Sequence, residues 1–415
     1  MTNDLTAGIV GCACGRDHAC PIRYIEVGKE ALRTLKTVCA DYQHVLLVSD
    51  DNTDAVCGDE VRALLGDKME VSLVLHADGV VVPDERCLAQ IEAKLSEKTD
   101  LILGIGSGVI NDLCKDVSFR HELPYGIVAT APSMDGYASV GAALILGGMK
   151  VTRNARPPMA IVADTAVLKT APLEMLQAGY GDIIGKYSCL NDWKLSTAIY
   201  GEYFCQTVYD LTMDTVHEVE PLAERILARD EDAVGTLMQA LVTVGIAMSY
   251  VGNSRPASGS EHHLSHFFEI TGILNNKPYF AHGIDVLYSA VVTARLREEL
   301  LKVTPAKKAF DRAAWEAEIR RVYSTSADGV IALQNKLGWY ERDDEALILP
   351  RWDALCEILR EAPDEQQMLA LVERIGLHYE EFKALYGDAK LADAVKYAKD
   401  LKDRYSVLWL YHQYA

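Results

Sequence analysis

Over its first 165 residues the chain alternates between short apolar runs and amphipathic stretches, and this rhythm restricts the fold more than any other feature. The apolar runs are "IRYIEVG" (22–28), "HVLLVSD" (44–50), "VSLVLHA" (71–77), "DLILGIGSG" (100–108) and "YGIVAT" (125–130). Between them stand helical patterns such as "EALRTLKTVCADY", "DAVCGDEVRALLGD" and "DERCLAQIEAKL". Strands that are apolar throughout are buried on both faces, and strands separated by helices run parallel. A doubly wound, Rossmann-like parallel sheet is therefore expected. "GAALILGGMKV" and "MAIVAD" extend the β character to about residue 164. Beyond that, proline and glycine thin out and long helical periodicities take over: 166–178, 182–200, 203–214, 217–229, 231–251, 260–272 and 283–302. The expected architecture is an α/β N-terminal domain over 1–165 and an all-α C-terminal domain over 166–415. The last hundred residues are rich in Glu, Asp, Lys and Arg on helical faces, and those faces read as mostly solvated.

Charge narrows the partners. With a formal net charge of −19, the chain is a poor nucleic-acid or polybasic membrane binder, although a locally positive pocket for a small anion remains compatible. The ten cysteines follow no framework spacing in a chain of 415 residues, so free thiols in a reducing cytoplasm are expected. No basic segment followed by an apolar run opens the sequence, so no signal peptide is expected. The longest apolar run, 237–251, is too short to span a membrane and reads as a buried helix.

Three places carry chemistry. "DLILGIGSGVINDLCKD" is a strand, a glycine turn and a helix, in which Gly104, Gly106 and Gly108 let the backbone approach a pyrophosphate and the helix offers N–H donors and the positive end of its dipole. Its G-x-G-x-G spacing departs from the common G-x-G-x-x-G, and a tight turn without a ligand is the alternative. Asp50, closing "VLLVSD", suits an adenine ribose and disfavours a 2′-phosphate, or else is a turn or cap residue. In "SGSEHHLSHFFE" (258–269), Ser260 is expected as N-cap, and His262 and His266 share a helical face. His263 points away from that face and is expected to be solvated or packed. The first helical turn disfavours imidazolium and so helps a neutral ligand. His282, before Gly283, and Asp182, in "AGYGDIIGKYS", are further candidate ligands. Taken singly, Asp182 is equally an N-cap, His282 a loop histidine and the His262/His266 pair a solvated face.

A fourth cluster, "CACGRDHAC", offers Cys12, Cys14, His18 and Cys20. Its C-x-C-x5-C spacing is not that of a standard closed zinc site. A cysteine-rich leader is the expectation, with a second, structural zinc as the alternative.

Taken together, "GIGSGVINDLCK", "ATAPSMDGYAS" (129–139), "GYGDIIGK" and "SGSEHHLSH" followed by "AHG" resemble the sn-glycerol-1-phosphate dehydrogenase branch of the iron-dependent alcohol dehydrogenase, glycerol dehydrogenase and dehydroquinate synthase superfamily. The resemblance runs over about 20–300. It implies a dehydroquinate synthase-like fold and reversible, NAD(H)- or NADP(H)-linked reduction of dihydroxyacetone phosphate. It further implies one divalent metal (Zn, Ni or Fe) on Asp182, His262 and His282, a substrate-contacting and catalytic His266, and substrate contacts from Asp135 and Asp182. Cofactor contacts are implied for the stretch from Gly106 through Ser107 and Gly108 to Asp112, for Thr130 to Ser133, and for Ser139. A homodimer or larger homo-oligomer is expected for the superfamily. For the substrate phosphate, Arg255 and Lys186 are the expected cations, helped by Asn253 and Ser254, with Lys150 and Arg153 weaker. The rival readings are a glycerol or polyol dehydrogenase, a dehydroquinate-synthase-like lyase and a non-enzymatic helical interaction protein.

Overall fold

The computed structural model describes residues 5–77, 79–147 and 149–415. The chain forms two compact units, one of residues up to 183 together with 217–253, the other of 184–216 together with 254–415.

The first unit is built on six parallel strands: β1 (Tyr24–Gly28), β2 (Val45–Asp50), β3 (Met69–Leu75), β4 (Leu101–Gly106), β5 (Tyr125–Ala129) and, after an antiparallel hairpin of β6 (Gly141–Leu146) and β7 (Met149–Asn154), β8 (Ala160–Asp164). Their order is β1-β8-β5-β4-β2-β3. β2, β4, β5 and β8 contain the continuous apolar runs, and every residue of β4, β5 and β8 is buried, as the expected parallel sheet requires. Helices α1 (Asp51–Leu65), α2 (Glu85–Glu92) and α3 (Gly108–Arg120) connect the strands. The stretch after β1 is less regular than expected, a 3-10 turn (Ala31–Thr34) and one short helical turn (Leu35–Val38). Leu32, Leu35, Val45, Leu47, Val61, Leu103 and Val162 form one core on a sheet face.

Among the further helices of this unit are α4 (Leu173–Ile184), all but its last residue, and α6 (Glu231–Val251). By length and composition α6 is apolar enough to cross a membrane, yet 83% of its apolar window is buried within the protein. It is a core helix, as its sequence suggests.

The second unit is helical, with α5 (Lys186–Tyr200), α7 (Ser260–Asn275) and α8 (His282–Leu300) followed by helices to the C-terminus. The C-terminal segment also contributes to the core of this unit. Trp339, Trp352, Tyr405, Trp409 and Leu410 join Leu195, Ile199 and Leu300 in one core. The Tyr386 hydroxyl hydrogen-bonds to both carboxylate oxygens of Asp285, at 2.9 and 2.8 Å, with Asp285 held protonated-leaning by burial, well above the usual carboxylate range.

Candidate active site

In the sheet register Val48 pairs with Gly104. Two residues further on, Asp50 and Gly106 end adjacent strands where β2 has β3 on one side and β4 on the other, the topological switch point at which doubly wound sheets bind ligands. Helix α3 begins at Gly108 with Ser107 as N-cap and no side-chain cap, leaving the first-turn N–H groups to be met by something other than the helix itself. A Cβ on Gly106 would lie 2.6 Å from Ile110, so this glycine also permits close strand–helix packing. Gly108 has more room, with only Met134 near, at 3.5 Å. Asp50 caps α1: its Oδ1 accepts the Thr53 N–H at 2.8 Å, and the Thr53 hydroxyl accepts the Asp50 N–H at 3.0 Å. The cap thus occupies one carboxylate oxygen.

The segment 130–139 is pinned from several sides. Thr130 donates its N–H to Gly106 O at 3.1 Å. The Tyr137 hydroxyl donates to Ala131 O at 2.7 Å. A Cβ on Gly179 of α4 would stand 1.8 Å from Pro132 O, and one on Gly245 of α6 would stand 2.8 Å from Asp135 O. Both helices therefore need glycine where they meet this loop. Sequence reasoning missed Lys115. Fully buried, it donates to Gly136 O (2.8 Å), Ser139 Oγ (3.2 Å) and Gly141 O (3.0 Å), with Asp112 at 3.7 Å. Burial lowers its pKa and raises that of Asp112. The signal was available: Asp112 and Lys115 stand one helical turn apart on α3. Asp112 also accepts the Ala143 N–H at 3.1 Å. Ser133 lies beside the Tyr137 hydroxyl.

Asp182 is fully buried in the last turn of α4, not at a helix start as an N-cap reading requires. Its Oδ2 accepts the Asp135 N–H at 2.9 Å.

In the helical unit, His262 sits in the first turn of α7 and His282 is the first residue of α8. Both positions feel the positive helix end, which favours neutral imidazole. The rings of His262, His266 and His282 are mutual neighbours, with centroids 6.1 Å (262–266), 5.1 Å (262–282) and 5.4 Å (266–282) apart. Nδ1 of His262 lies 2.6 Å from Oε1 of the fully buried Glu261. A carboxylate only accepts, so Nδ1 carries the proton and Nε2 the lone pair, the pairing typical of metal-ligating histidines. Ser265 Oγ lies 3.3 Å from His282 Nδ1. His263 is wholly buried with neither ring nitrogen hydrogen-bonded, and burial drives its pKa well down. It is packed, leaving His262 as the ligand candidate.

The N-cap of α7 is Gly259, not Ser260. The Ser260 N–H is instead met by Asp192 Oδ2 at 2.6 Å, while Asp192 Oδ1 accepts the Val407 N–H at 2.7 Å. A carboxylate from α5 thus does the capping, which no local pattern could disclose. Burial, and next the nearby Glu261, push the Asp192 pKa up to about 6.

Arg255 has another duty than the one its position suggested. Only 2% exposed, it pairs with Glu202 through Nε (2.7 Å) and Nη2 (2.6 Å), and donates to Tyr405 O (2.9 Å) and Ser196 Oγ (3.2 Å). A guanidinium so engaged has little left for a phosphate. Lys186, fully buried, donates to Ala257 O at 3.0 Å. Arg153 lies 3.3 Å from Asp116.

The two imidazoles of the expected set, His262 and His282, are thus neighbours within the second unit, while the expected carboxylate, Asp182, belongs to the first. One carboxylate and two neutral imidazoles suit Zn²⁺, Ni²⁺ or Fe²⁺.

A Rossmann-like sheet with a glycine turn, followed by a helical unit that carries a histidine cluster, is the architecture of the iron-containing alcohol dehydrogenase class of nicotinamide oxidoreductases. The family model for iron-containing alcohol dehydrogenases matches residues 26–172. The solved iron-containing alcohol dehydrogenase of Thermococcus thioreducens superposes with a TM-score of 0.60 at 16% identity, covering 94% of this chain and 97% of that one, which speaks to fold. Closer in sequence are NAD(P)⁺-dependent glycerol-1-phosphate dehydrogenases. That of Geobacillus stearothermophilus is 33% identical over 74% of this chain and 78% of its own length. That of Bacillus licheniformis is 31% identical over 85% and 87%. The chain belongs to the NAD(P)⁺-dependent glycerol-1-phosphate dehydrogenase family.

Proposed function

We propose that the protein reduces dihydroxyacetone phosphate to sn-glycerol 1-phosphate with NADH or NADPH, reversibly, and that Asp182, His262 and His282 hold its divalent cation. The observation that carries this reading is identity above 30% across most of the length of enzymes named for that substrate. When bound, the cation supplies Lewis-acid polarisation of the C2 carbonyl and the nicotinamide supplies the hydride.

The chain's own residues do the rest. Asp182 brings the negative charge of the donor set, its orientation fixed by the Asp135 N–H. Glu261 keeps His262 in the ligating tautomer. His266 is assigned the proton that ends on the C2 oxygen; hydride to carbon and proton to oxygen balance the oxidation of the cofactor. Gly106, Ser107 and Gly108 receive the pyrophosphate, and Thr130, Ser133, Ser139 and Asp112 frame the nicotinamide side. Asp50 is assigned the adenine ribose through the oxygen its cap does not use. For the substrate phosphate we retain Lys186, with Asn253 and Ser254, in preference to Arg255. A homodimer or larger homo-oligomer, in a reducing cytoplasm that suits ten free thiols, completes the reading.

The test is NADH oxidation with dihydroxyacetone phosphate and with free dihydroxyacetone, across Zn²⁺, Ni²⁺ and Fe²⁺. Strong preference for the phosphorylated ketone is expected. Equal use of both would favour a polyol dehydrogenase, and turnover without net NADH loss a lyase.

A further inference from the structure

Helix α8 opens on His282 with Ala281 as N-cap, and Ala281 has no side chain with which to cap it. The start of this helix is tethered from elsewhere in the same unit. The helix Tyr379–Tyr397 lies beyond the stretch that carries the sequence resemblance, and its Tyr386 is buried. The Tyr386 hydroxyl donates to the buried Asp285 carboxylate, 2.9 Å from Oδ1 and 2.8 Å from Oδ2, and accepts the Phe280 N–H at 3.2 Å. Phe280 stands two residues before His282 and Asp285 three after it. One hydroxyl thus joins the chain entering α8 to its first turn, and His282 lies between the two attachment points.

The ring of the same residue holds the other histidine-bearing helix. It stacks on Phe268 of α7, with centroids 4.1 Å apart and planes 13° from parallel. Phe382, one turn before Tyr386, meets Phe268 edge-on at 5.2 Å. Phe268 is two residues past His266 and six past His262. Tyr386 therefore touches α7 through its ring and α8 through its hydroxyl. The backbone accommodates this: directly after Tyr386 the helical run breaks at Gly387, with φ +72° and ψ 158°, angles that belong essentially to glycine. A Cβ at Gly387 would meet nothing within 4 Å, so the backbone angle and not space calls for glycine there.

We propose that Tyr386 is a positioning residue for the metal-ligating histidines, holding the start of α8 against α7 so that His282 and His262, whose ring centroids are 5.1 Å apart, keep the spacing a shared cation needs. The inference rests on the assignment of the cation to these histidines under the proposed function. It gives the C-terminal segment a part in the site through contacts that lie within the helical unit.

Tyr386→Phe keeps the ring and removes only the hydroxyl. Zinc affinity of the full-length variant, measured by chelator competition, should fall about 10–100-fold, the usual effect of losing an outer contact that orients a ligand. The visible bands of the cobalt(II)-loaded protein should shift as well. Leu355→Ala serves as the control for stability alone: it opens a cavity in the core that also contains Leu300, at the far end of α8. It should lower the melting temperature and leave zinc affinity and the cobalt spectrum as in wild type. Unchanged affinity and spectrum in Tyr386→Phe, or an equal loss of affinity in Leu355→Ala, would overturn the proposal while leaving the cation assignment standing. Wild-type zinc affinity in His262→Ala would instead overturn the cation assignment, and this inference with it.

Discussion

Glu261 and His266 occupy neighbouring turns of one helix yet serve the site in different ways, and substitutions separate them. Glu261→Gln removes the anionic acceptor from His262 Nδ1–H, 2.6 Å away. Metal affinity should weaken about 10–100-fold, measured by chelator competition, and an unchanged affinity would remove Glu261 from the site's design. His266→Ala should lower kcat about 10²–10⁴-fold, the usual worth of a positioned acid or base, with metal content intact. Loss of the metal in that variant would show His266 to be a ligand and not a proton carrier. Sequence made the His262–His266 pairing legible, because a four-residue step on a helix is a same-face relation. It left Glu261 unnoticed, since an acid next to a histidine reads as surface charge until both prove buried.

At the scale of elements, the loop 130–139 is held by helices whose glycines permit contact. Gly179→Ala would drive a Cβ to 1.8 Å from Pro132 O, a backbone atom that cannot swing aside. About 1–3 kcal/mol of destabilisation is expected, as for other overpacked positions, together with a raised KM as Asp135 shifts. Thermal unfolding and steady-state kinetics check both, and an unchanged melting temperature would mean the helix can slide at no cost. In the helical unit, Glu202→Gln would remove the Glu202 carboxylate charge from beside the Arg255 guanidinium, which is 2% exposed. Breaking a buried pair from one side costs about 3–5 kcal/mol; because Glu202 is itself 30% exposed, the lower end is expected, read by denaturant titration. If the substrate phosphate depended on Arg255, this variant would instead alter KM with stability preserved. The strands of the sheet were legible from their apolar runs, and α6 from its long hydrophobic stretch. The cap of α7 was not, because Asp192 arrives from a helix 68 residues earlier.

For the molecule as a whole, the burial of α6 makes a direct prediction. With 83% of its apolar window inside the protein, the chain should stay in the supernatant on ultracentrifugation without detergent, and recovery in the lipid pellet would contradict the assignment of α6 to the core. What the sequence determined by itself is everything that depends on neighbours along the chain. It set a parallel sheet from apolar periodicity, a glycine turn between β4 and α3, and a supply of imidazoles at helix starts. What only the tertiary structure decided is which distant groups meet: Asp192 against the Ser260 N–H, Glu202 rather than a phosphate against Arg255, Lys115 against the Gly136 and Gly141 carbonyls. Periodicity reports which face of an element is buried. It carries no information on what lies across that face, and a buried charge or thiol takes its character from that neighbour.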